Sequence, residues 1–228
     1  SIAWGIAEAA ANHGAEIAFS YQMEGFRKRL APLAKSIGSD IMIECDVGQD
    51  GAVEHCFAEL AAHWPTIDFV IHALAFSDKN ELRGSYMNTS RDNFANTMII
   101  SAYSFTEVAR AASTMMPSGG AMITLSFLGA QRSTPNYNVM GVAKAALEAS
   151  VRYLAVDLGG QNIRVNALSA GPMRTLAGAA ITGARHIFRH SEYNSPLQRN
   201  PRLEEVGSAG LYLVSDLSSG VTGEIHFV

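Results

Sequence analysis

A tyrosine and a lysine seven residues apart form the most specific chemical pattern in the sequence. Tyr137 and Lys144 lie in the run PNYNVMGVAKAALEASVRYLA, which follows a strand-like apolar segment. Seven residues make two turns of an α-helix, so both side chains leave the same face, about 10 Å apart along the axis. Both can reach one ligand at the helix start, and an ammonium near a phenol favours the phenolate and makes the hydroxyl a better donor. An ordinary surface pair is the alternative, which the small neighbours Gly141 and Ala143 disfavour.

A second pattern, SAGPMRT, follows the apolar run IRVNAL and ends at Thr175. Its Gly-Pro pair fixes a tight turn and allows the backbone to approach a ligand closely. Thr175 then offers a hydroxyl and a helix-start amide suited to phosphate. At the start of the chain, Ser1 can cap a helix, and Gly5 permits that helix to pack closely on a sheet or a ligand. Both segments are candidate cofactor contacts.

Further polar residues lie where apolar runs end. Asp46 could accept a hydrogen bond from an adenine amino group while Val47 packs on the ring; a helix N-cap is the alternative role for Asp46. His72 also ends such a run, and we interpret it as a packed core histidine rather than a catalytic one. His186 and His190 could share a helix face, but with no third ligand in sight they are interpreted as surface residues.

The elements that must position these residues alternate along the chain. Apolar runs predict strands over 16–21, 40–47, 68–76, 121–127, 163–169 and 224–228. Between them, helical patterns cover 1–13, 24–37, 49–63, 91–116, 138–159 and 202–215. The apolar runs are continuous, as in strands covered on both faces, so we expect an α/β, doubly wound, Rossmann-type parallel sheet with helices on both faces. The first strand is expected to precede Ser1, outside the given sequence, because the helix at 2–13 needs a strand partner.

Composition limits the function classes. A length of 228 residues fits a single domain over 1–228, with a substrate flap near 172–200 where Gly and Pro punctuate weakly helical pieces. The 17 Lys+Arg against 21 Asp+Glu make nucleic acid an unexpected partner. Cys45 and Cys56 lack metal-ligand spacing and are interpreted as core thiols, so no metal is expected. No apolar run is long enough to span a membrane, and a cytoplasmic protein is expected.

Taken together, these residues resemble the short-chain dehydrogenase/reductase superfamily and, within it, the enoyl-acyl-carrier-protein reductases of bacterial fatty-acid synthesis. The resemblance covers essentially the whole chain, through SIAWGIA, CDV, PNYNVMGVAKA, RVNALSAGPMRTLA and the length of the segment from Met173 to Pro196. Ordinary members of the superfamily use Tyr-x3-Lys, which Gly141 excludes here. They also place a catalytic Ser thirteen residues before the Tyr, where this chain has Thr124.

The resemblance implies an enzyme that reduces the double bond of trans-2-enoyl-acyl-carrier-protein thioesters by hydride transfer from NADH. Tyr137 would hydrogen-bond the thioester carbonyl and Lys144 would hold the nicotinamide ribose. The positions that match cofactor contacts are Ser1, Ile2, Gln22, Asp46, Val47, Ala75, Lys144, Ala170, Pro172, Met173 and Thr175. Those expected at the substrate are Phe76, Leu82, Phe127, Tyr137, Met140, Ile181 and Ile187. The acyl-carrier-protein thioester would be the partner, and a homotetramer is implied.

The chain departs from the family pattern at two places. The family usually carries a second Tyr ten residues before the catalytic one, where this chain has Phe127, so only apolar packing is carried over to that position. The strand-end SIG pattern of many members is here Ala73, Leu74 and Ala75, which keeps small residues beside the nicotinamide.

Cofactor choice and two other functions remain open at the sequence level. NADH is expected rather than NADPH. Gln22 follows the strand at 16–21, which is the second strand of the fold when the one expected before Ser1 is counted, and no Arg lies directly beside it. A carbonyl (3-oxoacyl thioester) reductase of the same superfamily is one alternative, which the Tyr-to-Lys spacing and the missing Ser disfavour. A non-catalytic nucleotide-sensing module is another, which the presence of both Tyr137 and Lys144 disfavours. A scaffold protein would leave the small strand-end residues unexplained.

Overall fold

Strands and helices alternate throughout the computed structural model, which describes residues 1–173 and 184–228. The strands are β1 (Phe19–Tyr21), β2 (Met42–Glu44), β3 (Phe69–His72), β4 (Gly120–Ser126), β5 (Ile163–Ser169) and β6 (Ile225–Phe227). The α-helices are α1 (Ile2–Ala11), α2 (Glu24–Ser36), α3 (Ala52–Ala61), α4 (Arg91–Met98), α5 (Ser104–Ser113), α6 (Asn138–Gly159), α7 (Ala184–Asn194) and α8 (Leu203–Val214). Short 3-10 segments span Tyr86–Asn88, Leu128–Ala130 and Asp216–Ser218.

Every described strand pair is parallel, as expected from the alternation of strands and helices. β1 pairs with β2, and the other four strands form a second sheet in the order β3-β4-β5-β6. The register brings Ser126 of β4 opposite Ser169 of β5, so the carboxyl ends of these strands lie side by side. Among the described strands, β1 pairs only with β2 and β3 only with β4, and the strand expected before Ser1 stays a prediction.

Helices cover both faces of the larger sheet. Met122 of β4 packs with Phe105 of α5 and Leu147 of α6, whereas the next residue, Ile123, packs on the opposite face with Ile6 of α1. Because both faces are buried, neither can be polar, which explains the continuous apolar runs of β4 and β5. The expected doubly wound arrangement is confirmed.

Helices α1 and α8 approach each other closely. A Cβ on Gly5 would lie 2.7 Å from Leu203 Cδ1, and a Cβ on Gly207 would collide with the Gly5 carbonyl oxygen. The close packing that Gly5 permits is therefore helix against helix, rather than against a sheet or a ligand. Ser1 caps α1 as expected, because its Oγ accepts from the Trp4 amide at 3.3 Å.

Two helical regions differ from the sequence expectation. The pattern over 91–116 is divided into α4 and α5 by a π-helical turn, Ile99–Tyr103. Helix α7 lies within the expected flap of 172–200, of which 174–183 fall outside the described residues. Both cysteines are free thiols; Cys56 is buried and Cys45 is half-buried. None of the helices in the described ranges has the length and apolar character that crossing a membrane requires.

Candidate active site

A cavity of about 1280 Å³ opens at the carboxyl ends of β3, β4 and β5. This is where ligands bind in doubly wound sheets. One wall consists of small and apolar residues that follow the strands, including Ala73, Ala75 and Ala170. Tyr137 and Lys144 both line the cavity, so the structure brings the Tyr-x6-Lys pair to one site.

Tyr137 precedes α6 directly and is almost completely buried. Its ring packs edge-on against Phe127, with the centroids 5.1 Å apart, and lies against Gly129, where a Cβ would collide with it. Burial raises the pKa of the phenol well above its usual value. Desolvation is the cause of this shift, so the hydroxyl stays protonated, and the expected effect of Lys144 on the phenol stays a prediction. No described residue accepts a hydrogen bond from it.

Lys144 is a buried ammonium that has more N–H donors than acceptors among the described residues. Its Nζ donates to the Leu125 carbonyl oxygen at 2.7 Å, and only 5% of the residue is exposed. Burial lowers the pKa of Lys144 to about 8, while the nearby Glu148 carboxylate acts in the opposite direction. An ammonium has three N–H donors, and within the described part of the chain only one finds an acceptor. The other two remain available to a ligand in the cavity.

Glu148, which the sequence analysis did not single out, is a buried carboxylate one helical turn after Lys144. It accepts from Ser126 Oγ at 2.6 Å and from Gln131 Nε2 at 3.4 Å. The sequence signal was the i, i+4 spacing of a lysine and a glutamate on one helix. That spacing is common on exposed helices, so it did not indicate burial.

His72 lies beneath the cavity as a buried, neutral imidazole, which confirms its interpretation as a core residue. Because Ser104 Oγ donates to the Ile100 carbonyl, it accepts from His72 Nε2 at 2.9 Å, and Thr124 Oγ1 donates to Nδ1 at 2.8 Å. Burial and, to a smaller extent, the charge of Lys144 lower the pKa of His72 to about 3. The hydroxyl of Thr124 is therefore occupied by a hydrogen bond within the core.

One side of the cavity is a cluster in which Leu82, Val139 and Met140 pack around Tyr137 and Phe127. Phe127 contributes apolar packing there, as expected.

Another wall residue, Phe76, is held through its backbone. Ser101 Oγ accepts from the Phe76 amide and donates to the Phe76 carbonyl, both at 2.9 Å. Ser101 lies in the π-helical turn, so the interruption between α4 and α5 is the element that fixes this wall. Such turns often occur at functional sites.

A polar network holds the loop that carries Leu82. Asn93 Oδ1 accepts from the Asp78 amide at 3.0 Å, and Asn93 Nδ2 donates to Glu81 Oε2 at 3.2 Å. Asn138 Nδ2 reaches the Glu81 and Gly84 carbonyls at 3.3 Å and so ties the loop to the start of α6. Sequence reasoning missed these residues, because their partners are distant in the chain.

Most of the residues proposed for the site are brought together. The cavity wall contains Ile2, Phe76, Ala75, Leu82, Phe127, Tyr137, Met140, Lys144, Ala170, Pro172, Met173 and Ile187. Four others do not line it: Ser1, Gln22, Asp46 and Val47. Thr175 and Ile181 lie outside the described residues.

Two of these four meet each other instead. Gln22 Nε2 donates to Asp46 Oδ1 at 3.2 Å, next to the ends of β1 and β2, and the same oxygen accepts from the Gly48 amide at 3.1 Å. Val47 is buried with Val53 and Val108, and Ser1 is exposed at the cap of α1. Their assignment as cofactor contacts stays a prediction.

The described residues fit a nicotinamide cofactor at the strand ends. Ala73, Ala75 and Ala170 leave the space a flat ring needs, and the backbone at Gly171 and Pro172 borders the same cavity. Lys144 has the unused donors that ribose hydroxyls would accept. The site therefore combines a neutral phenol, a cation and an apolar pocket.

The comparisons with known proteins agree with this arrangement. The family model described as "Enoyl-(Acyl carrier protein) reductase" matches residues 1–228. The chain is 58% identical to the "Enoyl-[acyl-carrier-protein] reductase [NADH] 2" of Rhizobium meliloti, over 100% of this chain and 85% of the relative. A crystal structure of FabI from Candidatus Liberibacter asiaticus has a TM-score of 0.98 and 57% identity, covering 100% of this chain and 88% of that one. The Anaplasma phagocytophilum reductase in complex with NAD has a TM-score of 0.96 and 55% identity, covering 100% and 87%.

Proposed function

Because this chain belongs to the enoyl-(acyl carrier protein) reductase family, we propose that it reduces the carbon–carbon double bond of trans-2-enoyl thioesters with NADH. The substrate is carried on acyl carrier protein, and the reaction serves fatty-acid elongation, in keeping with the relatives' names. The observation that carries the proposal is that the Tyr137 hydroxyl and the Lys144 ammonium share one apolar cavity at the sheet's carboxyl edge.

Tyr137 acts on the thioester oxygen. When bound, NADH supplies a hydride to the β-carbon of the enoyl group, and negative charge then collects on the thioester oxygen. A donor aimed at that oxygen stabilises the charge, by several kcal/mol in a site that excludes water. Because burial raises the pKa of Tyr137, its hydroxyl is protonated at neutral pH and can donate. The proton that completes the reduction at the α-carbon comes from Tyr137 or a relayed water.

Lys144 holds the cofactor's ribose through the N–H groups that the Leu125 carbonyl leaves unused. Its positive charge also adds a favourable field for the enolate. Phe76, Leu82 and Met140 surround the acyl chain, and Phe127 supports the Tyr137 ring by edge-on packing. With no hydroxyl at Phe127, Tyr137 is the principal donor to the thioester oxygen.

The position of Thr124 argues against the alternative function of a carbonyl reductase. That reaction would use a hydroxyl at the position of Thr124, but this side chain is buried and bonded to His72. An enoyl reductase needs no second hydroxyl there.

The domain organisation, location, assembly and cofactor preference belong to the same proposal. The chain acts as a single reductase domain over 1–228, with 172–200 as the substrate flap. It works in the cytoplasm as a homotetramer and prefers NADH to NADPH. Relatives whose names specify NADH support this cofactor.

Replacing Tyr137 by Phe tests the catalytic assignment. Loss of one oxyanion donor is expected to lower kcat for a short enoyl thioester by about 100- to 1,000-fold, because the enolate oxygen loses its hydrogen bond. NADH binding, followed by its fluorescence, is expected to stay near the wild-type level. The measurement is NADH oxidation with crotonyl thioester.

The matched control is Tyr153→Phe, which removes the same hydroxyl from an exposed position of the same helix. This control is expected to keep wild-type turnover. Unchanged turnover in the Tyr137→Phe protein would overturn the role given to the phenol. Faster reduction of an acetoacetyl thioester than of the crotonyl thioester by the wild-type protein would overturn the enoyl reductase assignment.

A further inference from the structure

Two consecutive residues at the end of β4 contact two positions of α6 that lie one turn apart. The Leu125 carbonyl accepts from Lys144 Nζ at 2.7 Å, and the hydroxyl of the next residue, Ser126, donates to the Glu148 carboxylate at 2.6 Å. Lys144 and Glu148 are each only 5% exposed. The lysine is explained by the proposed reaction, whereas the buried glutamate is not.

We propose that Glu148 is a positioning residue for Lys144: the negative charge of Glu148 on the neighbouring turn of α6 keeps the lysine an ammonium able to donate to the cofactor's ribose. The inference rests on the proposed function, because it assigns to Lys144 the task of holding the ribose. Glu148 touches no reacting atom in this role. It acts through its charge on the neighbouring turn of the same helix.

Burial makes such a partner necessary. An ammonium removed from water loses much of its hydration, so the neutral amine is favoured unless an opposite charge lies nearby. Glu148 is four residues after Lys144, the spacing at which helical side chains are neighbours. Hydrogen bonds from Ser126 and Gln131 hold the carboxylate, so it stays in place rather than turning towards solvent.

The other titratable groups around Lys144 do not supply this charge. His72, on the adjacent strand β3, is neutral because burial lowers its pKa to about 3. Tyr137, at the start of α6, is neutral because burial raises the pKa of its phenol. From β4, the contact to Lys144 is the uncharged Leu125 carbonyl, while Ser126 and Gln131, also uncharged, donate to Glu148. Within the described residues, Glu148 is the anion whose charge favours the ammonium.

A titration of the protein without cofactor or substrate tests the proposal directly. The lysines of the chain are Lys28, Lys35, Lys79 and Lys144, and the first three are exposed. Selective 13C labelling of lysine therefore gives few signals, and that of Lys144 is identified by its loss in Lys144→Arg. The pH dependence of the Lys144 Cε chemical shift then reports its protonation midpoint.

In Glu148→Gln, the midpoint of Lys144 is expected to fall by about one pH unit, because a nearby opposite charge is lost. Ser126→Ala keeps the carboxylate and removes one of its two hydrogen bonds, so the midpoint of Lys144 is expected to fall by less than in Glu148→Gln. Asp157→Asn removes a carboxylate from an exposed position of the same helix and is expected to change nothing. Glu148→Asp restores the charge and is expected to bring the midpoint back.

A further variant tests the same charge effect in the opposite direction, through a rise of the Lys144 midpoint. Gln131→Glu adds a carboxylate beside Glu148 at an exposed position, so it tests the charge effect even if Glu148→Gln fails to fold. It is expected to raise the Lys144 midpoint by roughly a few tenths of a pH unit.

The kinetic readout is the pH dependence of kcat/KM for NADH, whose alkaline limb is expected to move down with the NMR midpoint in Glu148→Gln. An unchanged Lys144 midpoint in both Glu148→Gln and Gln131→Glu, or an equal fall in Ser126→Ala, would overturn the proposal. If the wild-type protein failed to reduce enoyl thioesters, the proposed function would fall, while the titration would still decide whether Glu148 sets the charge of Lys144.

Discussion

Burial determines the protonation states of the three titratable residues at the sheet's carboxyl edge. It keeps Tyr137 a hydroxyl, keeps His72 neutral, and brings the pKa of Lys144 to about 8. Desolvation always disfavours the charged form, so it acts in opposite directions on a phenol and an amine. In the proposed reaction the phenol donates and the amine stays charged, so only the amine needs an opposite charge nearby, and Glu148 is the buried carboxylate one turn from Lys144.

His72 makes stability depend on acidity. Its pKa of about 3 in the folded protein lies below the unfolded value of about 6.5, so the unfolded chain binds more protons between these pH values. The stabilisation is complete above pH 6.5 and is lost as the pH falls towards 3, with a slope of about 1.4 kcal/mol per pH unit. In His72→Gln, which cannot titrate, this part of the acid dependence is expected to disappear.

Urea denaturation at several pH values between 4 and 7 measures the effect on the free energy of unfolding. His13→Gln removes an exposed histidine and is expected to retain the wild-type slope. If wild type and His72→Gln lost stability equally on acidification, the buried imidazole would not be the source.

The segment Leu128–Ala130 determines where the Tyr137 ring lies. At Gly129, a Cβ would lie 2.8 Å from Tyr137 Cε1 and 3.2 Å from Phe127 Cδ1, whereas a Cβ on Gly141 would lie 2.8 Å from the Gly129 carbonyl oxygen. The two glycines let this turn and the start of α6 pack closely around the phenol. The position of the Tyr137 ring therefore depends on its close packing against this turn.

Gly129→Ala is expected to displace the Tyr137 ring and to lower turnover of the enoyl thioester by about 100-fold, because misplacement of a catalytic group by about 1 Å has such an effect. The fold is expected to survive, as judged by circular dichroism. Gly159→Ala, at the far end of α6 where an added Cβ would meet no atom within 4 Å, is the matched control and should retain full turnover. Wild-type turnover in Gly129→Ala would show that the ring position does not depend on this glycine.

Local patterns predicted the elements whose packing is simple. Helix α6 and strand β5 have the expected bounds, because an apolar stripe and a continuous apolar run are visible over their whole lengths. The apolar run over 16–21 forms a strand only at Phe19–Tyr21, where it meets β2. The π-helical turn was missed, because α- and π-helical turns share nearly the same apolar pattern.

The candidate site was predicted in part for the same reason. Tyr137 caps the start of α6 and Lys144 lies within it, so their spacing alone indicated a common site. Ser101 and Asn93 act on loop residues 15 to 25 positions away, and such pairings arise only once the chain has folded. The protonation states also depend on burial, which spacing does not reveal.

At the scale of the whole molecule, helix α6 would serve both the proposed site and the proposed assembly. One face builds the site with Tyr137 and Lys144, while its middle exposes Tyr153 at 75% and Val156 at 80%. These two side chains are three residues apart, so they lie on one face of α6 and form an exposed apolar patch of the kind that favours contact with another surface. The same helix that positions the catalytic pair would then also join subunits, so assembly would stabilise the site's framework.

A homotetramer of 24.4 kDa chains has a mass of about 98 kDa, four times that of one chain, which light scattering after size exclusion measures directly. Val156→Asp is expected to lower the mass to that of a dimer or monomer, because a charge buried in an apolar interface is costly. Tyr193→Asp, at a position of α7 that is 87% exposed, places the same charge away from α6 and is expected to leave the mass unchanged. A wild-type mass of one chain would contradict the assembly. Equal dissociation by both substitutions would show that charge alone, rather than the α6 surface, was responsible.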